Sequence, residues 1–310
     1  MTPACALCGN DASAPWLRKG AWQYRLCISC SAVWLDPLPT DAWAEQFYDH
    51  GYFEGGGRGG YRDYLADEAQ HQANARARIA LARQYGAGPP GLWIDIGCAA
   101  GYTLAAARDA GFEICGVDLS PWAREVARKR FGLHVLSSLA QARQAHDERA
   151  DVVSMFQVLE HMSDPLAALT QARGCLRAGG MLVIETWDRA SLVARLFGRH
   201  WQQITPPSVA WLLDRKSINS ALLRAGFETR DILATSKVVS AGWISGVLAD
   251  KFPRSFAPVL ARIARSRLGR VEMSYRLGDL VTVIGLAREC PDELERRQNA
   301  RQFSGSDHNS

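Results

Sequence analysis

From Leu92 onward the chain alternates short apolar runs with longer amphipathic segments. Five strands are predicted by the runs LWIDIG, FEICGVDLS, LHVL, ADVVSMFQVLE and GMLVIETW, and the segments between them, such as YTLAAARDAG and SPWAREVARKRFG, have helical periodicity. The strands are almost continuously apolar, which is typical of a parallel sheet covered by helices on both faces. A late run, GDLVTVIGLAR, predicts a closing strand. The pattern predicts an α/β domain over residues 91–290, with insertions at about 188–215 and 238–275.

The preceding segment, residues 39–90, has a different pattern. The stretch TDAWAEQFY predicts a helix capped by Thr40 or Asp41, and a longer helix is predicted from about Asp63 to Tyr85. Between them lies GYFEGGGRGGY, a glycine-rich composition expected of a mobile loop. We therefore predict a helical linker and lid here. The polar residues 291–310 are predicted to form a disordered tail.

Four of the eight cysteines lie in the first 30 residues, as two C-x-x-C pairs separated by 18 residues. Each pair can form a tight turn, and two such turns complete a tetrahedral shell of four thiolates. The ligands predicted are Cys5, Cys8, Cys27 and Cys30. Because no histidine lies among them, a closed structural zinc site is favoured over a catalytic one. Residues 1–38 are thus predicted to be a zinc-binding module.

Composition restricts the classes of protein that remain. The chain has 310 residues, of which 47% are hydrophobic, enough for one large core and a small module. Its net charge of +4 is mild and does not favour a dedicated nucleic-acid binder. No signal peptide or spanning segment is recognised in the sequence, so we expect a cytoplasmic chain without a transmembrane segment.

The first chemical signal is DIGCAAG, residues 95–101, directly after the first predicted strand of the α/β domain. Gly97 allows a sharp turn and Gly101 allows close approach of a ligand, whereas the middle position is Ala99. Asp118 ends the next strand, 17 residues after Gly101, where an acid can accept the hydroxyls of an adenosine ribose. The spacing is one residue shorter than a dinucleotide-binding loop requires.

Four stretches together resemble class I S-adenosylmethionine-dependent methyltransferases: DIGCAAGYTL, GVDLS, FQVLEHMSDP and LRAGGMLVIETW. VLEHMSDP is the most specific and is typical of the small-molecule branch. The resemblance implies a Rossmann-like sheet of seven strands with the last antiparallel, and S-adenosylmethionine over the ends of the first four. The cysteine pairs followed by VWLDPLPT and FYDHGYF resemble the zinc-ribbon extension of methyltransferases for sugars, polysaccharides and secondary metabolites.

The resemblance also implies which residues hold the cofactor. Asp95, Gly97 and Gly101 frame its methionine end, Asp118 binds the ribose and Leu119 packs on the adenine. The full predicted set is Asp95, Gly97, Ala99, Gly101, Tyr102, Asp118, Leu119 and Gln157. Ala99 departs from the family's usual glycine, and two serines follow LHVL where many members have an acid for the adenine amine.

Methyl transfer from a sulfonium is an in-line displacement, so positioning can supply much of the catalysis, aided by a base when the acceptor is a hydroxyl or a carbon acid. His161 follows the fourth strand and is the predicted base; a structural role, capping a turn or bonding Glu160, is the alternative. Tyr48 in the lid and His200 in the insertion after the fifth strand are further catalytic candidates.

The sequence thus predicts a methyltransferase for a small molecule or a carrier-linked substrate, such as a sugar, a nucleotide sugar or a secondary metabolite, methylated on oxygen or carbon. One alternative is an rRNA or tRNA methyltransferase with a zinc module. It is disfavoured because FQVLEH stands where methylation of base amino groups typically uses an Asn/Asp-Pro-Pro-aromatic motif. The other alternative is a non-catalytic protein that binds S-adenosylmethionine or another partner.

A basic segment, residues 251–271, carries six cations and no acid, with apolar residues at helical spacing. A helix packed on the sheet with a solvated basic face is one interpretation. The other is that its arginines attract an anionic acceptor, such as a nucleotide- or lipid-diphosphate-linked sugar. The same face is also compatible with peripheral contact to a membrane.

Overall fold

The computed structural model describes residues 4–54, 63–147, 149–249, 262 and 266–288. The N-terminal part begins with three antiparallel strands: β1 (Ser13–Lys19), β2 (Trp22–Cys27) and β3 (Val33–Asp36). Three helices follow: α1 (Asp41–Phe47), α2 (His50–Glu54) and α3 (Glu68–Gln84). Helix α1 begins where the sequence predicts, because the Thr40 side chain accepts a hydrogen bond from the Trp43 amide. The glycine-rich residues 55–62 lie outside the described ranges.

The α/β domain then alternates strands and helices as predicted. Its first half contains β4 (Leu92–Ile96), α4 (Tyr102–Asp109), β5 (Glu113–Val117), α5 (Pro121–Phe131), β6 (Val135–Leu136), α6 (Leu139–Ala145), β7 (Ala150–Phe156), α7 (Pro165–Cys175) and β8 (Leu176–Trp187). Helices α5 and α7 each begin with a proline after a capping side chain, Ser120 and Asp164 respectively. These local signals explain why both helix starts were readable from the sequence.

The second half of the domain is less regular. It contains α8 (Leu192–Phe197), β9 (Trp211–Leu212), α9 (Arg215–Arg224), β10 (Phe227–Ala234), β11 (Lys237–Ser240), α10 (Ala241–Ala249), β12 (Glu272–Tyr275) and β13 (Leu280–Ala287). Most of the basic segment 251–271 and the whole of the predicted tail, 291–310, lie outside the described residues. None of the helices in the described ranges is both long enough and apolar enough to span a lipid bilayer.

Seven of these strands form the main sheet, in the order β10-β13-β8-β7-β4-β5-β6. Strands β4 to β8 run parallel to one another, and β13 pairs antiparallel with both β8 and β10. The predicted α/β fold with an antiparallel closing strand is confirmed. Strand β4 pairs with β5 on one side and β7 on the other, so the strand order reverses there. In open α/β sheets, ligands bind at such a reversal, outside the carboxyl ends of the strands.

The N-terminal strands are joined to the α/β domain rather than standing apart from it. Strand β9 adds to their edge, giving a second sheet in the order β1-β2-β3-β9. Trp34 stacks on Trp211 with ring centroids 6.0 Å apart, and the Tyr24 hydroxyl donates to the Val209 carbonyl at 2.8 Å. Buried residues of this second sheet and of the main sheet belong to one continuous hydrophobic core.

Candidate active site

The glycine loop after β4 makes two turns that depend on glycine. At Gly97 φ is +70°, and a Cβ there would lie 2.4 Å from a methyl carbon of Val158. At Gly101 φ is +84°, and a Cβ would lie 2.7 Å from Leu133. Ala99 also has a positive φ, +46°, so it takes the conformation that the family's usual glycine adopts more easily.

The loop uses its amides to hold the neighbouring strand end. The Gly97 and Cys98 amides both donate to the Val117 carbonyl, at 2.7 and 3.1 Å. The Ala99 amide donates to Asp118 Oδ2 at 2.8 Å, and the Ser120 amide donates to Asp118 Oδ1, also at 2.8 Å. The loop therefore fixes Asp118 in place. Because these amides already donate within the protein, the loop lets a ligand approach its backbone closely but does not present a row of free amides to it.

Asp118 is 8% exposed and lines the cleft beside the loop. Burial raises the pKa of its carboxyl, while the bonds from the Ser120 and Ala99 amides oppose that rise. Each carboxylate oxygen accepts one of these bonds and keeps a second lone pair. The carboxylate can therefore accept two further hydroxyl donors from the cleft.

Asp95 lies at the inner end of the same cleft and is 2% exposed. The Ser154 hydroxyl donates to Asp95 Oδ1 at 2.6 Å, and the Trp93 indole donates to the Ser154 oxygen at 2.8 Å. Burial raises the pKa of Asp95 to about 7, although the Ser154 bond and the Arg78 charge oppose the rise. A cationic ligand group beside this carboxyl would favour its ionised form.

The cleft itself encloses about 570 Å³ at the carboxyl ends of β4, β5 and β7. It brings together most of the residues that the sequence predicts for the site: Tyr48, Asp95, Gly97, Ala99, Tyr102, Asp118, Leu119, Gln157 and His161. Two predicted residues are not among its lining residues. Gly101 lies at the start of α4 and allows close packing against Leu133. His200 ends a one-turn helix, Gly198–His200, and is exposed.

The surroundings of His161 define which of its two ring nitrogens carries the proton. It ends a one-turn helix, Leu159–His161, and its Nδ1 lies 2.5 Å from the Ser208 carbonyl oxygen. A carbonyl can only accept, so Nδ1 carries the proton and Nε2 is left as an acceptor. The Tyr48 hydroxyl donates to the same carbonyl at 3.4 Å, and the two rings meet edge to face with centroids 6.0 Å apart. Two of the three predicted catalytic residues therefore converge on one backbone oxygen.

The Ser208 carbonyl is held in turn by neighbouring backbone contacts. The Ala210 amide donates to the Glu160 carbonyl at 2.9 Å, and the Leu35 amide in β3 donates to the Ala210 carbonyl, also at 2.9 Å. Residues 208–212 thus link the N-terminal sheet, which they join through β9, to the one-turn helix that carries His161. The sequence held no signal for this arrangement, because β9 has only two residues.

A charged cluster at the inner wall of the cleft was not predicted. Arg78 on α3 forms a two-pronged ion pair with Glu185 on β8, with N···O distances of 2.6 and 3.3 Å. Gln157 also donates to Glu185, at 2.8 Å, and Lys237 donates to the Gln157 side-chain oxygen at 3.3 Å. Arg78, Gln157 and Lys237 all line the cleft. Gln157 is one of the predicted cofactor residues, but its bond to Glu185 was not predicted, and the sequence placed Arg78 in a linker helix.

His71, also on the cleft wall, is held neutral by its surroundings. Its ring stacks between Tyr64 and Tyr102, with centroid separations of 4.1 and 5.1 Å. Burial, together with the nearby positive charge of Lys237, lowers the pKa of His71 to about 3. This stack places aromatic walls beside the glycine loop.

The four N-terminal cysteines come together as the sequence predicts. Their sulfur atoms all lie within 4.8 Å of one another. The Cys5–Cys30 and Cys8–Cys27 sulfur pairs are 3.7 and 3.5 Å apart. A tetrahedron with metal–sulfur bonds of about 2.3 Å has sulfur–sulfur edges of about 3.8 Å. The donor set therefore fits a closed tetrahedral thiolate site.

Residues 67–232, more than half of the chain, match the family described as "Methyltransferase domain". The chain belongs to this family.

Particular relatives add detail. A ubiquinone biosynthesis O-methyltransferase of Cereibacter sphaeroides is 35% identical over 115 residues, which are 35% of this chain and 47% of that protein. The enzyme of the same name from Xanthomonas campestris is 30% identical over 162 residues, 44% of this chain and 63% of that protein. The chain thus spans about half to two thirds of the length of these curated relatives.

A solved structure shares the fold. Magnesium protoporphyrin IX methyltransferase from Synechocystis, determined with bound SAH, superposes with a TM-score of 0.51 at 15% identity, covering 80% of this chain and 100% of that one. At this identity the likeness concerns the fold alone.

Proposed function

We propose that the protein is an S-adenosylmethionine-dependent methyltransferase that transfers a methyl group to an oxygen of a small-molecule acceptor. The observation that carries the proposal is the buried Asp118 carboxylate, held by the Ala99 and Ser120 amides and lining a cleft at the strand-order reversal. The names of the Cereibacter and Xanthomonas relatives support oxygen as the acceptor atom. The sugar substrate that the sequence suggested stays a prediction.

The cleft residues fit S-adenosylmethionine, which contains no phosphate and therefore needs no phosphate-binding groups in the protein. Asp118 would accept the ribose hydroxyls and Leu119, which is 38% exposed, would pack on the adenine. Asp95, Gly97 and Gln157 would surround the methionine end. When bound, S-adenosylmethionine supplies a methyl group activated by a sulfonium. The protein's own part is to align the acceptor and to remove its proton.

His161 is the residue we assign to proton removal. Its Nε2 is the unprotonated nitrogen, since Nδ1 donates to the Ser208 carbonyl. On accepting the acceptor's hydroxyl proton, the ring becomes a cation with Nδ1–H still bonded to that carbonyl. The adjacent Glu160 carboxyl is 3% exposed, and its burial raises its pKa. A positive charge on His161 opposes that rise. Tyr48 would close the cleft beside it.

We further propose that Cys5, Cys8, Cys27 and Cys30 bind one structural zinc ion. The proposal is supported by the sulfur separations and by the four-thiolate donor set, which zinc prefers in structural sites. The ion would tie the turn before β1 to the turn between β2 and β3, at one end of the N-terminal sheet, whose edge carries β9.

Calorimetric titration with S-adenosylmethionine tests the cofactor site. Asp118→Ala is expected to weaken binding at least about tenfold, since hydrogen bonds to a charged group contribute about 1.5–3 kcal/mol each. His161→Ala should leave that affinity unchanged and lower turnover instead, measured by a mass-shift screen of hydroxylated acceptors. Asp109→Ala, which removes an exposed acid from the same domain, is the matched control. Equal affinity for wild type and Asp118→Ala would reject the assigned site.

A further inference from the structure

Residues 208–211 bond directly to the turn at residues 159–162 (the His161 turn). All four residues of this segment are 4% exposed or less. Among the described residues, three hydrogen bonds join the two: His161 Nδ1 to the Ser208 carbonyl at 2.5 Å, the Ala210 amide to the Glu160 carbonyl at 2.9 Å, and the Trp211 indole to the Met162 carbonyl at 2.9 Å. The segment therefore holds the backbone on both sides of His161 as well as its ring.

The same segment is fixed from its other side by the N-terminal sheet. Its contacts there include two hydrogen bonds and a ring stack: the Tyr24 hydroxyl to the Val209 carbonyl at 2.8 Å, the Leu35 amide to the Ala210 carbonyl at 2.9 Å, and Trp34 on Trp211. Tyr24 is fully buried, so its bond is protected from water. Strands β2 and β3 thus help to determine where the Ser208 carbonyl lies.

The cofactor side of the cleft is held by different bonds. Asp118 accepts from the Ala99 and Ser120 amides, and Asp95 accepts from the Ser154 hydroxyl. In the described part of the chain, no hydrogen bond joins residues 208–211 to these groups. A change in the segment should therefore affect His161 and leave the cofactor site as it is.

The Ser208 carbonyl decides which nitrogen of His161 can act as a base. A ring that donates to a carbonyl through Nδ1 carries its proton there, and Nε2 is then able to accept a proton. A neutral imidazole without such a partner favours the Nε2–H form in water, and Nε2 can then accept nothing. In a histidine base the wrong tautomer removes most of the catalysis even where the geometry is kept.

We propose that the N-terminal sheet is a positioning element of the active site, and that Trp211 and Tyr24 are positioning residues for His161. They hold residues 208–211 so that the Ser208 carbonyl meets Nδ1 and Nε2 stays ready for the acceptor's hydroxyl proton. Neither of the two aromatic side chains lines the cleft, so both act through that carbonyl. This inference rests on the proposed function, because it takes His161 as the base.

The test uses two substitutions that each remove one donor and keep an aromatic ring, Trp211→Phe and Tyr24→Phe. Nitrogen-15 NMR of histidine-labelled protein at alkaline pH reports which ring nitrogen is protonated, and His161→Gln identifies the His161 signals. Wild type is expected to carry the proton on Nδ1. In each variant the ratio of the Nδ1–H to the Nε2–H form should fall at least about fivefold, which corresponds to about 1 kcal/mol, the net contribution of one hydrogen bond.

Trp201→Phe is the matched control. It also removes a buried indole donor, to Asp279 at 3.2 Å, and that bond lies outside residues 208–211. The control should keep the wild-type tautomer. All three variants should bind S-adenosylmethionine as tightly as wild type by calorimetry. Turnover of an acceptor found in the mass-shift screen should fall in the two test variants at least in proportion to the Nδ1–H fraction, with the KM for S-adenosylmethionine unchanged.

Other outcomes overturn the inference or the function beneath it. If the Nδ1–H form persists unchanged in the folded variants, the sheet does not position His161, even where turnover falls; Tyr24→Phe decides alone if Trp211→Phe does not fold. An Nε2–H form in wild type would reject His161 as the base, and the inference with it. Failure of wild type to bind S-adenosylmethionine would instead reject the proposed function itself.

Discussion

Replacing Ala99 with glycine should leave the protein as stable or make it slightly more stable, although the change deletes a methyl group. An alanine in the left-handed conformation costs about 1–2 kcal/mol, and φ at Ala99 is +46°. Removing that strain is opposed by the larger conformational entropy of glycine in the unfolded chain, which lowers stability by about 0.5–1 kcal/mol. A fully buried CH₂ group contributes about 0.8 kcal/mol, and the half-buried methyl of Ala99 contributes less than this. Together these terms centre on a gain of about 0.3 kcal/mol, within a range from a loss of about 0.8 to a gain of about 1.5 kcal/mol.

The next residue supplies the matched control. Ala100 is fully buried and does not have a positive φ. Ala100→Gly should therefore lose both the methyl burial and the entropy, about 1.3–1.8 kcal/mol in all. The two variants should differ in melting temperature by about 2–4 °C for a chain of 310 residues, measured by thermal unfolding monitored by circular dichroism. Equal destabilisation by both substitutions would show that Ala99 is not strained and that the argument is wrong.

Three further predictions concern the metal site, a buried acid and the contact between the two sheets. Freshly purified protein should contain about one zinc per chain by elemental analysis; Cys27→Ser should lose it and Cys175→Ser, in the main core, should retain it, and a metal-free wild type would contradict the site. Because burial raises the folded-state pKa of Asp95 to about 7, its contribution to stability is full below about pH 4 and is lost as pH rises through 7. Asp95→Asn should flatten the fall in urea-unfolding free energy between about pH 4 and pH 7, and an unchanged slope would count against the raised pKa. Tyr24→Phe leaves the buried Val209 carbonyl without its 2.8 Å donor and should lower the unfolding free energy by about 1–3 kcal/mol; an unaltered urea midpoint would show that this bond does not help to join the sheets.

Much of the fold was readable from the sequence because its signals are local. The parallel strands of the main sheet are largely apolar runs, since both faces are covered, and the helix starts carry their own caps, such as Thr40 and Ser120. The edge strand β10, FETRDILA, has no such run and was not predicted. Gly97 and Asp118 were also predictable. The turn and the strand end that need these residue types are set by the few residues around them.

Other parts of the site depend on residues far apart in the chain. Lys237 meets Gln157 across 80 sequence positions, and His161 meets the Ser208 carbonyl across 47. The sequence indicated His161 but not its proton arrangement, because a backbone carbonyl leaves no mark in the residue pattern. It also suggested His200, which does not line the cleft; the insertion instead supplies the Ser208 carbonyl that accepts from His161.

The sequence by itself therefore determined the strand–helix alternation, the glycine loop and the two cysteine pairs that come together near the N-terminus, each set by the spacing of neighbouring residues. Only the tertiary structure decided that β9 joins the N-terminal sheet to the α/β domain and that Arg78 and Lys237 face one cleft. A two-residue strand and a lone lysine have no periodicity of their own. Their positions follow from the packing of distant elements, which no local pattern encodes.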